Sequence, residues 1–310
     1  MKIKIELDFG LSKALISFKR RDMSLLFYLN EIHLDLEKKN KMDLIVKYKS
    51  CVLKFVEFMD NKVVRISDID KGNLCKYEEY LFALGLKPNT VSFYMRCLRS
   101  LYNRAVEDGF VNQTFPFTGV YTGIDKTKKR MVTYDILKKL KEAKFDTSLS
   151  FARDVFLLSY SLRGLPFIDL AYLTKSDYDG EYIFIKRHKT GELLCIYVED
   201  YAREIISNYA NTNSQYLLPI LYYNNKVHNY STALRIQNSR LSRISKILNL
   251  KSNLSTYVAR HSWASIAKER GIPISIISES LGHTSEKTTK IYLSSFNQSI
   301  LDEANKKLLL

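Results

Sequence analysis

The sequence predicts a mainly α-helical protein of two domains with one small antiparallel β-sheet, and three observations carry that prediction. Apolar residues recur at helical spacing through most of the chain, most clearly as Leu44, Ile45, Tyr48, Val52, Phe55, Val56 and Met59. Residues 181–198 instead switch to strand character around a Gly-containing turn. A stretch rich in Gly and Lys, residues 118–130, divides the 310-residue chain into parts that are each long enough to bury a core.

Residues 1–21 read as a short basic leader, either a strand or an arm laid against nucleic acid. A first helix is expected from Asp22 to about Lys38, with Met23, Leu26, Phe27, Leu29 and Leu34 as its apolar positions. A second runs from Asp43 to Met59. Ser67-Asp68 is expected to cap a third, through Leu74, Tyr77, Leu81 and Leu84, that Gly85 ends. The fourth opens at Pro88-Asn89-Thr90 and runs to Gly109, burying Val91, Met95, Leu98, Tyr102 and Ala105. Its other face presents Ser92, Arg96, Arg99 and Asn103, which suits either a phosphate backbone or a solvated charged surface. These four helices make a first domain at 22–117. The linker that follows, with Gly119, Gly123, Lys126, Lys128, Lys129 and Arg130, either touches a nucleic-acid backbone or is solvated.

The second domain is expected at 131–310. Thr133 is placed to cap a helix over Tyr134 to Lys144, and an apolar helix from Phe151 to Leu162 leads into Arg163. Tyr182 to Ile185 should pair with Leu193 to Tyr197 across Lys189-Thr190-Gly191-Glu192. Helices follow at Tyr201 to Tyr209 and Tyr230 to Leu250, the second with Leu234, Leu241, Ile244 and Leu248 inside and Arg235, Arg240, Arg243 and Lys246 outside. Ser255 or Thr256 caps a helix that Gly271 stops, Pro273 opens a short one that Gly282 ends, and Thr284 or Ser285 caps a third that carries Tyr292. Tight turns would fold these three helices together, so Arg260, His283 and Tyr292 can share one pocket. About 298–308, Ile300, Ala304 and Leu308 align on a last amphipathic helix, which needs an apolar groove in cis or on a second copy.

Forty-eight Lys and Arg against thirty-three Asp and Glu leave a net charge of +15, spread over both halves, which favours a polyanionic partner. The four cysteines lie far apart with no Cys-x-x-Cys pair, so neither a disulfide framework nor a zinc site is suggested. No apolar run approaches a membrane span and the first residues do not form a signal peptide. The expected place is the cytoplasm, at the nucleoid, with no membrane partner.

Tyr257-x-x-Arg260, Leu281-Gly282-His283 and Tyr292, nine residues after His283, resemble the tyrosine recombinase (phage integrase) family. The family has His where this chain has Tyr257. The resemblance implies a helical core-binding, SAM-like domain and an α-rich catalytic domain that clamp a DNA duplex, with chemistry that uses neither metal nor nucleotide cofactor. Cutting a phosphodiester in that way needs a nucleophile, charge on the non-bridging oxygens and an acid for the leaving oxygen.

Carried over residue by residue, the resemblance makes Tyr292 the nucleophile, Arg260 and Arg163 the phosphate clamp, Lys189 the general acid and His283 a hydrogen-bond donor to phosphate. Lys186, Arg187 and His188 are rivals to Lys189. Arg163 lies six residues before Asp169, where the family has three, and is read here with Gly164-Leu165-Pro166 as an insertion; a structural Arg163–Asp169 pair is the alternative. Tyr257 is expected to donate a hydrogen bond, its replacement by Phe slowing cleavage without abolishing it. The last helix would dock on a neighbouring protomer, giving a tetramer on inverted-repeat core sites of double-stranded DNA, with an accessory DNA-bending protein as a further partner. Contacts to DNA are expected from Arg96, Arg99, Lys128, Lys129, Arg130, Arg240 and Arg243. The reading is a site-specific integrase or invertase, closest to compact enzymes that invert promoter segments or move mobile elements. A type IB topoisomerase and a DNA-binding protein without catalysis are the alternatives.

Overall fold

The computed structural model describes residues 23–60, 63–125, 130–209, 214–223 and 226–293, with side chains for all of these except Tyr223, Ile291 and Tyr292. The expected leader at 1–21, Lys126, Lys128 and Lys129 of the linker, and the last helix at 298–308 lie outside the described residues. The chain forms two compact units that divide between Thr127 and Lys128.

The first unit is built from α1 (Leu25–Lys38), α2 (Met42–Met59), α3 (Lys71–Ala83) and α4 (Pro88–Glu107). Ser24 caps α1 by accepting from the Phe27 amide at 3.2 Å. The buried stripe of α1 is Leu25, Tyr28, Leu29, Ile32 and Leu36, which keeps the spacing of three and four throughout. Leu26, Phe27 and Leu34, expected inside, break that spacing and are exposed. The cap of α3 is Asp70, which accepts from the Asn73 amide at 2.8 Å, and not Ser67-Asp68. Those two residues lie in a 3₁₀ turn, Ile66–Asp68, where the Asp68 carboxylate takes the Arg65 amide at 2.7 Å.

Helix α4 buries the expected Val91, Met95, Leu98, Tyr102 and Ala105, and Arg96, Arg99 and Asn103 are exposed on the other face. Ser92 departs from that face: it is fully buried and donates to the Gly123 carbonyl at 2.6 Å. Asn89 pairs with the Asp125 backbone in both directions, at 2.9 and 2.8 Å, and Glu78 accepts from the Tyr121 amide at 2.7 Å. The segment up to Asp125 is therefore laid against α3 and α4.

The second unit is organised around α6 (Thr147–Ser161), which packs against α5 (Tyr134–Glu142), α8 (Asp200–Tyr209), α9 (Tyr230–Ile247) and α10 (Thr256–Glu269). A helix enclosed by neighbours must be apolar nearly all round. Leu149, Ala152, Val155, Phe156, Leu157 and Leu158 meet that condition. The short α7 (Phe167–Tyr172) follows, then a hairpin of β1 (Tyr182–Lys186) and β2 (Leu193–Tyr197), in register from Tyr182 opposite Tyr197 to Lys186 opposite Leu193. A two-residue pair, β3 (Tyr222–Tyr223) and β4 (Lys226–Val227), precedes α9. The last described helices are α11 (Ile274–Ser280) and α12 (Glu286–Tyr292). No helix among the described residues is long and apolar enough to cross a membrane.

Candidate active site

Two backbone turns set the geometry of the site. The first ends α11. Its final turn closes with Gly282 N–H to Glu279 O at 2.8 Å and His283 N–H to Ser278 O at 3.0 Å, the paired bonds of a Schellman motif, with Gly282 at φ 63. The Leu281 carbonyl is then turned toward two guanidinium groups: Arg260 Nη2 donates to it at 2.6 Å, and Arg187 Nη1 donates to the same oxygen. A Cβ on Gly282 would stand 3.0 Å from Arg187 Nη1, so the glycine also makes room for that side chain.

The second turn ends α6. Arg163 and Gly164 both take left-handed backbone, at φ 54 and 68. Arg260 Nη1 donates to the Gly164 carbonyl at 2.9 Å, and a Cβ on Gly164 would stand 2.8 Å from the Cα of Arg260. Helix α10 therefore approaches this turn as closely as a glycine allows.

Around these turns lies a cavity of about 400 Å³ whose wall includes Asp169, Arg187, Lys189, Tyr257, Arg260 and His283. Its charges are three cations against one carboxylate. Asp169 is fully buried, accepts from Arg187 Nε at 2.6 Å, and takes both the His188 amide at 2.9 Å and, at 3.0 Å, its Nδ1. Burial, then the neighbouring Arg187, pushes Arg260 down to about 9, which leaves it charged at neutral pH but short of compensating negative charge. Burial first, then Arg260, Arg187 and Lys189, pushes His283 down to about 4, so the imidazole is neutral near pH 7. A pocket of this kind is electrostatically completed by an anion with several oxygens.

Of the residues singled out by sequence, Arg260, His283, Lys189 and Tyr257 line this one cavity. Tyr257 is half exposed, with its ring 4.7 Å from that of the buried His261, and burial raises its phenol above the usual range against the opposing effect of Arg260 and Arg187. Tyr292 is the last residue of α12, which follows directly on His283 and the α12 cap at Ser285.

Arg163 is not among the residues that line the cavity. Its Nη1 reaches the Cys195 carbonyl at 3.4 Å, and its backbone, not its side chain, shapes the site. Nor does it pair with Asp169, whose partners are Arg187 and His188. The second buried guanidinium in the wall is Arg187, which the sequence offers only as a rival to Lys189. The signal that identifies it is the strand period: Ile183, Ile185 and Arg187 alternate inward along β1 and its extension, while Lys186 and Lys189 are exposed.

Of the expected DNA contacts, Arg96, Arg99, Arg130 and Arg243 are exposed. Arg240, expected outside, is half-buried and lines a separate, apolar cavity of about 410 Å³ with Phe151, Phe167, Tyr209 and Ile220.

Fold and site together define a class: a two-unit, mainly helical protein whose second unit gathers arginines, a lysine and a histidine into one anion-seeking pocket, with a tyrosine on the adjoining helix. Comparison with known proteins gives the family. Residues 24–120 match the phage integrase SAM-like domain, and residues 135–299 match the phage integrase family. A tyrosine recombinase of Thermosipho africanus is 25% identical over 271 residues, covering 84% of this chain and 91% of that protein. A lambda integrase dimer bound to a COC′ core site has a similar fold, with TM-score 0.68 at 15% identity, over 90% of this chain and 79% of that one. A lambda integrase tetramer bound to a Holliday junction gives TM-score 0.67 at 15% identity, over 86% and 79%. The chain belongs to the phage integrase family.

Proposed function

We propose that the Tyr292 hydroxyl attacks a DNA phosphodiester held by Arg260 and Arg187. The chain is a site-specific tyrosine recombinase, a DNA strand-exchange enzyme. The Tyr292 oxygen bonds to phosphorus, the bond to the 5′ oxygen breaks, and a 3′-phosphotyrosine and a free 5′-hydroxyl result. The phenolic proton passes to solvent as the bond forms, because a phenol with a pKa of about 10 is a weak nucleophile while protonated. Lys189, at the hairpin tip, supplies a proton to the departing 5′ oxygen. The two guanidinium groups offer planar paired donors to the non-bridging oxygens, and their hold strengthens as charge grows there. Tyr257 adds a hydrogen-bond donor from the cavity wall, and His283 completes that wall. A 5′-hydroxyl from a partner strand then attacks the phosphotyrosine, so the ester energy is conserved.

The observation that carries this reading is the convergence of Arg260 and Arg187 on the Leu281 carbonyl, beside Lys189 and His283 and at the base of the Tyr292 helix. The second clamp is thus assigned to Arg187 in place of Arg163. Duplex contacts from the exposed Arg96, Arg99, Arg130 and Arg243, assembly as a tetramer on inverted-repeat core sites through residues 298–308, a DNA-bending accessory protein, and use in inversion or mobile-element transfer belong to the same proposal. The tetrameric lambda integrase supports the assembly.

The test is covalent trapping. The protein is incubated with nicked duplexes cut from the DNA flanking its own gene, denatured, and examined for a protein–DNA adduct beside Tyr292→Phe. An adduct present in the native protein and lost in the variant is the expected result. An adduct that survives in Tyr292→Phe, or specific binding with no adduct, overturns the assignment.

A further inference from the structure

One buried hydroxyl links the helix that carries Tyr292 to the arginine clamp. Thr289, fully buried on α12 one turn before Tyr292, lies between two partners. Its Oγ1 donates to Ser278 Oγ on α11 at 2.9 Å and stands 2.7 Å from His283 Nδ1. A threonine hydroxyl has a single proton. With that proton given to Ser278, the short contact to the imidazole is a hydrogen bond only if Nδ1 carries the proton and donates. His283 Nε2 then bears the lone pair, and it lies 3.0 Å from Arg260 Nη2, a group that can only donate. Every bond in the chain Ser278, Thr289, His283, Arg260 thus runs in one determined direction.

We propose that Thr289 is a positioning residue that, together with the Arg260 donor at Nε2, holds His283 in the Nδ1–H tautomer while the Tyr292 helix is seated. The sequence suggested that His283 donates to phosphate; in this tautomer Nε2 accepts. His283 therefore accepts a hydrogen bond at Nε2. The low proton affinity of the imidazole, which faces Arg260, Arg187 and Lys189, agrees with this arrangement. Because Thr289 and Tyr292 share one helix, withdrawal of that helix removes the Nδ1 partner of His283 together with the nucleophile. The catalytic consequence rests on the recombinase reading above; the tautomer itself does not.

Long-range ¹H–¹⁵N spectra of the full chain labelled in histidine nitrogen read the tautomer directly, with His283→Asn assigning the signals among the five histidines. The expected native pattern at pH 7 is a protonated Nδ1 and an unprotonated Nε2. Thr289→Val, nearly the same volume, removes the acceptor at Nδ1 and should give a mixture with the Nε2–H form, and Thr289→Ser should restore the native pattern. Ser278→Ala leaves Thr289 able to accept from Nδ1 while Arg260 still donates at Nε2, so the native pattern should persist. In the trapping assay, Thr289→Val should slow adduct formation by roughly tenfold or more while Thr289→Ser stays within about threefold. A native Nε2–H pattern, one unchanged in Thr289→Val, or loss of the Nδ1–H form in Ser278→Ala overturns the proposal. Loss of the adduct in every variant including the native chain strikes the recombinase reading and leaves the tautomer result standing.

Discussion

Replacing Gly164 by Ala tests whether the closeness of two backbones holds the clamp. At φ 68 any L-residue is strained, by roughly 1–2 kcal/mol. The added Cβ would stand 2.8 Å from Arg260 Cα, a backbone atom that cannot rotate away. Forcing the two apart costs roughly 1–3 kcal/mol more, as overpacking generally does. The total is roughly 2–5 kcal/mol, which for a unit of this size lowers Tm by at least about 4 °C. The displacement falls on Arg260 itself, and misplacing a catalytic group by about 1 Å can slow a reaction on the order of a hundredfold. Gly271→Ala is the control: φ is 79, but nothing lies within 4 Å of its Cβ position, so only the strain applies. Thermal unfolding and single-turnover adduct formation are measured on both. Equal losses of stability, with Gly164→Ala cleaving at the native rate, would refute the argument that this approach positions Arg260.

Three further outcomes are expected. Arg187→Lys keeps a charge but loses the planar fork, so adduct formation should fall at least about tenfold, whereas Arg163→Gly, which relieves left-handed strain outside the cavity, should leave the rate within about threefold. His283, near 6.5 when unfolded and lowered to about 4 when folded, contributes stability present above pH 6.5. As pH falls below 6.5 the unfolded chain takes up a proton that the folded one refuses, so urea midpoints should drop between pH 6.5 and 4, and less in His283→Asn. Tyr257→Phe should change stability by less than about 0.5 kcal/mol, because the ring is half exposed, and slow adduct formation without abolishing it; an unchanged rate removes Tyr257 from the site.

Much of the fold was legible because the signals are local. Helices α2, α4 and α9 follow apolar stripes of regular spacing, and the hairpin follows an alternating pattern about its turn. The stripe of α1 is not legible in the sequence because Leu26, Phe27 and Leu34 are as apolar as the residues that pack, and only a neighbouring helix decides which face is covered. Ser92 looked like a polar surface residue, yet the Gly123 carbonyl, thirty-one positions away, takes it inside.

At the site, the sequence by itself determined the residue types and the short-range spacing: Arg260 on a helix, a Leu-Gly-His stop, and a tyrosine one short helix later. Those follow from caps, glycines and helical period, which act over a few residues. Only the tertiary structure decided which second arginine stands beside Arg260. Arg163 lies nearer the expected motif, but the turn at the end of α6 sends its guanidinium to Cys195 and uses the Gly164 carbonyl instead. Arg187 arrives from the hairpin because Asp169 on α7 and the Leu281 carbonyl on the α11 turn both accept from it. A buried charge goes where its partners are, and the hairpin, α7 and the α11 turn meet only once the chain has folded.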